Sequence, residues 1–264
     1  MRLWLTLVGI GFRRWSTYRL AAFAGAFTNS VFGLIRAGVI TAAVAAAGGT
    51  LGGYDARAGV TYVWLGQALI GPVYFFAWSE LAQRIHTGDV AVDLARPVDP
   101  MLAHLAADLG RAAFVFLPRG LPPLAVGAAV TGLALPGDPG AYLLGVLSAA
   151  LAVVVSFACR WLVNLSAFWL LDLRGPMTMY LLVTNILCGL AVPVRWFPGW
   201  LAAVAAASPF PSMLQTPIDV LMGHSAGWDA VRLLGVQAAW AAALLVAGRL
   251  VFTLGSRKLV IQGG

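Results

Sequence analysis

Apolar residues fill six stretches of this chain, and the polar residues between them mark the boundaries. A helix needs roughly 20 apolar residues to cross about 30 Å of hydrocarbon. Runs on that scale fall near 20–47, 60–79, 107–133, 141–169, 177–194 and 231–254. The pattern predicts an all-α integral membrane protein with about six transmembrane helices, built as a single transmembrane domain over 1–264. The first and fourth runs exceed the hydrocarbon thickness, which leaves room for tilt or for extension into the headgroup layer.

The stretches between the runs differ in character. Residues 1–19 interleave Leu3, Trp4, Leu7, Val8, Phe12 and Trp15 with Arg2, Arg13, Arg14 and Arg19. An apolar stripe flanked by arginines predicts an N-terminal interfacial helix. Spans one and two follow over 20–79. The segment 80–106 is the most polar part of the chain. Gly88-Asp89 signals a turn there, and Arg96-Pro97 and Asp99-Pro100 read as interruptions of any continuous helix. This predicts a cytoplasmic loop holding two short helices around a turn. Spans three to five occupy 107–194, and 231–264 carries the last span and a cytoplasmic tail. Between them, 195–230 is interrupted by Pro198, Pro209, Pro211 and Pro217 yet stays apolar in its middle. A helix near 198–207 is too short to span, so the segment reads as an extracytoplasmic or re-entrant element in the outer leaflet. Non-helical backbone at that depth must be covered by protein or line a wet cavity.

Composition strengthens the membrane reading. The 264 residues are 61% hydrophobic and 10% charged, with mean hydropathy +0.87, whereas a soluble domain carries about 25% charged residues. The net charge is +7 from 17 basic and 10 acidic side chains. Arg2, Arg13, Arg14, Arg19, Arg84, Arg96, Arg111, Arg160, Arg174, Arg249, Arg257 and Lys258 fall at one end of the predicted spans, and Arg57, Arg195 and Arg232 at the other. That bias puts both termini in the cytoplasm, as an even number of crossings requires. Basic residues at the ends of apolar runs form no clustered polar patch, so nucleic acid is not the expected partner.

Familiar catalytic chemistry is missing from the sequence. There is no nucleotide-binding Gly-rich loop with Lys-Ser/Thr, no His-Glu-x-x-His zinc motif and no Gly-x-Ser-x-Gly elbow. Cys159 and Cys188 sit inside apolar runs as small hydrophobes. His86 and His104 belong to the cytoplasmic loop and His224 to the outer one, so the three do not form one site. Arg36 and Arg119 are the sharpest anomalies, because a charge at mid-bilayer costs about 2.5–3.5 kcal/mol on insertion scales. Gly25, Asn29, Gly33 and Arg36 share one helix face by their spacing, a packing or cavity face rather than a lipid face. Arg119 precedes Gly120 and Pro122-Pro123, which predicts a kink in the third span. Asn29, Arg36 and Arg119 are therefore candidates for a translocation path. The other reading is internal pairing of the two arginines, for example with Glu80 or Asp172.

The run Ile85-His86-Thr87-Gly88-Asp89-Val90, followed by Leu94-Ala95-Arg96-Pro97-Val98, resembles the Gly-Asp…Arg-Pro loop of ABC-2 type transporter permeases, the six-helix membrane subunits of bacterial ABC exporters. Phe168-Trp169, Val192-Pro193, Phe197-Pro198, Ser208-Pro209-Phe210, Pro217, Gly223, Gln237, Trp240 and the Gly263-Gly264 terminus fit the same pattern in order. The likeness covers about half the chain, from residue 80 onward. It implies a permease subunit in the bacterial plasma membrane, paired with a second six-helix chain, identical or related, around a central path. It also implies separate ABC ATPase subunits that bind ATP and Mg, so no cofactor belongs to this chain. The loop 80–106 would be the coupling element, with Glu80, Arg84, Asp89, Arg96 and Asp99 as the contact region. Two other classes are a membrane-embedded lipid-modifying enzyme, which needs a cluster of acids, His or Ser at one depth, and a non-transporting membrane scaffold.

Overall fold

A backbone that cannot reach water must close its own hydrogen bonds, and this chain does so as helices. The computed structural model describes residues 2–17, 19–73 and 80–258. Its helices are α1 (Arg2–Ser16), α2 (Arg19–Ala46), α3 (Ala56–Val73), α4 (Glu80–Thr87), α5 (Val90–Leu94), α6 (Pro100–Arg119), α7 (Leu121–Val130), α8 (Pro139–Leu165), α9 (Arg174–Leu187), α10 (Gly199–Ala206), α11 (Gln215–Leu221) and α12 (Gly227–Ser256). Among the described residues the only β-type pairing is an isolated bridge between Leu51 and Tyr54. The expected end of the second span at 74–79 and the Gly263-Gly264 terminus lie outside the described residues.

Aspartates decide where three of the helices begin. The N–H of Ala58 donates to Asp55 Oδ1 at 2.7 Å, that of Leu102 to Asp99 Oδ1 at 3.0 Å, and that of Gly140 to Asp138 Oδ1 at 2.9 Å. Pro100 and Pro139 take the first helical position, where the missing N–H costs nothing. Asp99-Pro100 thus both interrupts the helical run, since α5 ends at Leu94, and starts α6. Consequently α6 begins at Pro100, seven residues before the expected boundary at 107.

Four helices among the described residues are long and apolar enough to cross a membrane: Ala22–Ala46, Pro100–Val130, Pro139–Phe168 and Gly227–Ser256. The second of these has a break in its helical assignment at Gly120, where α6 passes into α7. At 14 residues, α9 is about 21 Å long. It is shorter than the 177–194 run because the chain turns at Gly189 with φ +89°.

The core forms where α3 runs through the middle of the bundle. Tyr62, Leu65, Leu69 and Val73 of α3 pack with Val153, Val155 and Cys159 of α8 and with Met213, Leu214 and Ile218. The last three belong to the segment that the sequence reading took as an outer-leaflet element around one helix at 198–207. The chain adds a second short helix there, α11, with Ile218 and Val220 fully buried. Its irregular approach is covered by protein, which satisfies the constraint on non-helical backbone. The long helix α12 meets α8 along a single stripe of Gln237, Ala241, Gly248 and Phe252. Gln237 is fully buried and fully used. Its Oε1 accepts from Ser148 Oγ at 2.7 Å, and its Nε2 donates to Ser148 O and Ser212 O at 3.2 and 2.8 Å.

Trp64 shows how closely α2, α3 and α7 approach. Its indole lies between Gly33 of α2 and Gly127 of α7, and a Cβ at either glycine would collide with the ring. The Nε1–H donates to Thr131 Oγ1 at 3.1 Å. Gly33→Ala should therefore destabilise the protein by about 1–3 kcal/mol through overpacking. Gly38→Ala on the same helix, where a Cβ meets nothing within 4 Å, should be neutral or mildly stabilising. Thermal midpoints of the two variants in the same detergent check the contrast; equal midpoints would remove Trp64 as the cause.

Candidate functional site

The charged side chains gather at two ends of the bundle. At the end that carries α1, α4 and α5, which we term the basic end, a cleft of about 410 Å³ opens between these helices and the start of α6. Helix α4 is amphipathic. Leu81, Ala82 and Ile85 are buried, and the Ala82 N–H donates to Asn164 Oδ1 at 3.2 Å. The opposite face presents Arg84, whose fork closes on Asp93 of α5 at 2.7 and 2.8 Å and reaches the carbonyl of Asp89 at 3.3 Å. The Asp93 fork holds the Arg84 pKa above its ordinary value. A bidentate pair across the turn at Gly88, where φ is +81°, makes α4 and α5 one stiff hairpin.

The five residues expected in the contact region take different positions around this cleft. Glu80, Arg84 and Arg96 line it, together with Arg14, Asp93 and His104. Glu80 pairs with Arg14 of α1 at 3.3 Å, and Arg96 approaches Asp93 at 3.7 Å. Asp99 stands beside the cleft, capping α6 and pairing with Arg249 of α12. Asp89 is apart from it and accepts from Thr87 Oγ1 at 2.7 Å. Asp93, which holds the hairpin together, was not singled out from the sequence. Its signal was a carboxylate nine residues after Arg84, across a Gly-Asp turn.

Directly below the cleft lies a buried ion cluster. Asp108 pairs with Arg111 at 2.7 Å on its own helix and with Arg160 of α8 at 2.8 Å. Both arginines are almost fully buried. Arg111 also donates to the carbonyls of Gly71 and Pro72 in α3 at 3.0 and 2.7 Å, and its guanidinium stands 5.9 Å from the centre of the Trp15 ring. The cluster therefore joins α1, α3, α6 and α8. By sequence Arg111 and Arg160 are among the charges at one end of the spans; burial against Asp108 adds a packing role. The Asp108-x-x-Arg111 spacing was the available signal.

Helix α1 is clamped to α6 beside this cluster. A Cβ at Gly11 would strike the Ala107 carbonyl and one at Gly110 the Val8 carbonyl, so the two backbones touch. Phe12 meets Phe114 edge to face at 5.3 Å. On its far side α1 exposes Leu3, Leu5 and Ile10.

Asn29, Arg36 and Arg119 occupy the middle of the bundle. Pro123 has no N–H, so the Arg119 carbonyl loses its helical donor. Asn29 Nδ2 supplies one at 3.3 Å and also donates to Gln67 O at 3.2 Å. Arg36 Nη2 donates to Ala191 O at 3.1 Å. The Arg119 Nε is buried without a hydrogen-bond partner. Neither arginine meets the acids suggested for them, since Glu80 pairs with Arg14 and Asp172 with Arg174.

The opposite end of the bundle holds a second polar network, which sequence reasoning missed because its members are far apart in the chain. Asp219 is buried on α11. It accepts from Tyr54 Oη and Gln215 Nε2, both at 2.9 Å, and pairs with Arg195 at 3.2 Å. Burial, then the charge of Asp219, push the Tyr54 hydroxyl above the ordinary phenol range. Gln215 Oε1 accepts from the Val194 N–H at 2.8 Å, and Tyr62 Oη lies 2.8 Å from Gly189 O and 2.9 Å from Gln215 Oε1.

The model of a family described as ABC-2 family transporter protein matches residues 33–263. No curated protein and no solved structure matches the chain.

Removing Asp108 leaves two buried guanidinium groups without their counter-charge. Asp108→Ala should cost about 3–5 kcal/mol, whereas Asp172→Ala, which removes an exposed pair, should cost about 0–1 kcal/mol. Thermal unfolding of both variants in detergent measures the difference.

Proposed function

The chain belongs to the ABC-2 transporter family, and from that premise we propose that it is the membrane-spanning permease subunit of an ATP-driven exporter, working with separate ATPase subunits and paired with a second six-helix chain. Membership makes it a membrane transport protein and, in general terms, a partner of ABC ATPases. The proposed six-span arrangement completes the four long helices with α3 and α9. In this reading the basic end faces the cytoplasm of a bacterial cell, with both termini on that side. ATP and Mg belong to the partner, and this chain carries no catalytic residue of its own.

One observation carries the coupling part of the proposal: the α4–α5 hairpin is stiff and sits on the helices it would have to move. The Arg84–Asp93 fork closes the hairpin on itself, and Asn164 fixes it to α8. Glu80 ties it to α1, which touches α6 backbone to backbone. A push on this element is transmitted to α6 and α8 rather than absorbed in a loop. The mixed charges around the cleft suit a partner surface that carries both signs. ATP binding in the partner then closes the ATPases and shifts the paired membrane subunits between access states.

The test is recovery of the ATPase with this chain. Arg96→Glu and Asp89→Lys, both in water-exposed positions, should each lower co-purified ATPase about tenfold, the size of one disrupted contact worth ~1.4 kcal/mol. Yield and thermal midpoint of the permease itself should not change. Undiminished recovery from both variants would reject this contact region.

A further inference from the structure

Two arginines in the middle of the bundle have no counter-charge among the described residues. All ten acidic side chains lie among the described residues, and their ion pairs end on other arginines. The sequence has no Asp or Glu before Asp55, and none between Asp108 and Asp138. Helix α2 therefore offers Arg36 no carboxylate, and the stretch beyond Asp108 offers Arg119 none.

The bundle nonetheless makes room for these charges. Gly25 of α2 faces Arg119, and a Cβ there would collide with its Nε, Cζ and Nη2. Among the described residues Arg36 meets a neutral acceptor, the Ala191 carbonyl. Both side chains remain partly exposed. Arg119 lies eleven residues beyond Asp108 on α6, about 16 Å along the helix. Arg36 lies eleven residues beyond Gly25 on α2, about 16 Å further. The two guanidiniums thus stand at successive depths above the Asp108 cluster. Phe23, Phe27, Phe32 and Ile35 of α2 point outward around them, each more than half exposed.

We propose that Arg119 and Arg36 are two stations for the anionic headgroup of an amphiphile, a phosphate or carboxylate on an alkyl chain, whose tail lies along the exposed apolar face of α2. An anion cancels a charge that the chain leaves uncompensated, and a guanidinium fork matches the paired oxygens of phosphate or carboxylate. A cationic headgroup would be repelled, and a neutral one would leave the charge as it is. The apolar surface beside the stations takes the tail without removing it from a hydrocarbon-like surrounding. The proposal rests on the permease reading for the statement that such a molecule is moved; binding itself needs neither ATP nor a partner subunit.

The full chain in phosphatidylcholine nanodiscs is titrated with dodecyl phosphate, dodecyltrimethylammonium and inorganic phosphate, with thermal midpoint and tryptophan fluorescence as readouts. Dodecyl phosphate should bind at least about tenfold more tightly than either of the others. Arg36→Gln and Arg119→Gln should each weaken it about tenfold, and the lysine variants should recover part of the loss. Equal binding of the cationic and anionic amphiphiles overturns the proposal, as does unchanged binding in both glutamine variants. Inorganic phosphate binding as tightly as dodecyl phosphate overturns the amphiphile. Should a glutamine variant fail to fold, the headgroup comparison on the unaltered chain still decides. Adding phosphatidylglycerol to the nanodisc separates two sources of the same chemistry: competition assigns the stations to resident anionic lipid, and persistence of dodecyl phosphate binding assigns them to a single-chain ligand. Loss of ATPase co-purification with the headgroup preference intact would count against the permease reading alone.

Discussion

Asp108 is held between Arg111 and Arg160, and the basic end of the bundle is organised around that contact. Two guanidiniums and one carboxylate are removed from water together, and the desolvation of three ions is large. The cluster persists because its members satisfy more than each other. The carbonyls of Gly71 and Pro72 and the face of Trp15 take up what one carboxylate leaves over from two cations. These acceptors come from two other helices, α3 and α1, so a charge requirement becomes a geometric one. Helices α1, α3 and α8 must stand where they do around α6.

Close backbone contacts make that geometry stiff. Gly11 and Gly110 let α1 and α6 touch, and Gly33 and Gly127 let α2 and α7 close on Trp64. In a bilayer, apolar side chains gain little by leaving lipid for one another, so contacts between helices depend on shape and on polar groups. Gln237 and Asn29 supply the polar part, each joining elements distant in the chain. Asn29 in particular completes a carbonyl that Pro123 leaves without a donor. The break at Gly120 is thereby held in one conformation.

The long helices were legible from apolar length alone, because the bilayer imposes a minimum span that the sequence must show. Helix starts were legible only in part. Asp99-Pro100 shows in the sequence as a break, and the cap that also starts α6 there depends on the Leu102 N–H, bonded to Asp99. Helix α11 was hidden because seven residues with Pro217 among them show no period long enough to detect. Arg36 and Arg119 stood out because the cost of a charge at depth is a local property. Their surroundings did not, since Ala191 and Gly25 are brought near by the fold. The same holds for Arg160, whose acid lies 52 positions earlier in the chain.

The two ends of the bundle differ in how easily their polar contacts exchange. At the basic end, Arg14 and Glu80 are 65% and 38% exposed, so breaking their pair costs about 0–1 kcal/mol. An incoming side chain of either sign displaces one member at little expense, while the Asp108 cluster beneath keeps the helices in place. At the far end, Asp219 is buried and shared among Tyr54, Gln215 and Arg195. Replacing Arg195 leaves the buried Oδ2 of Asp219 without a donor, at about 1–3 kcal/mol. The proposed coupling would use this inequality: a partner docking at the basic end would exchange contacts there while the far end keeps its own.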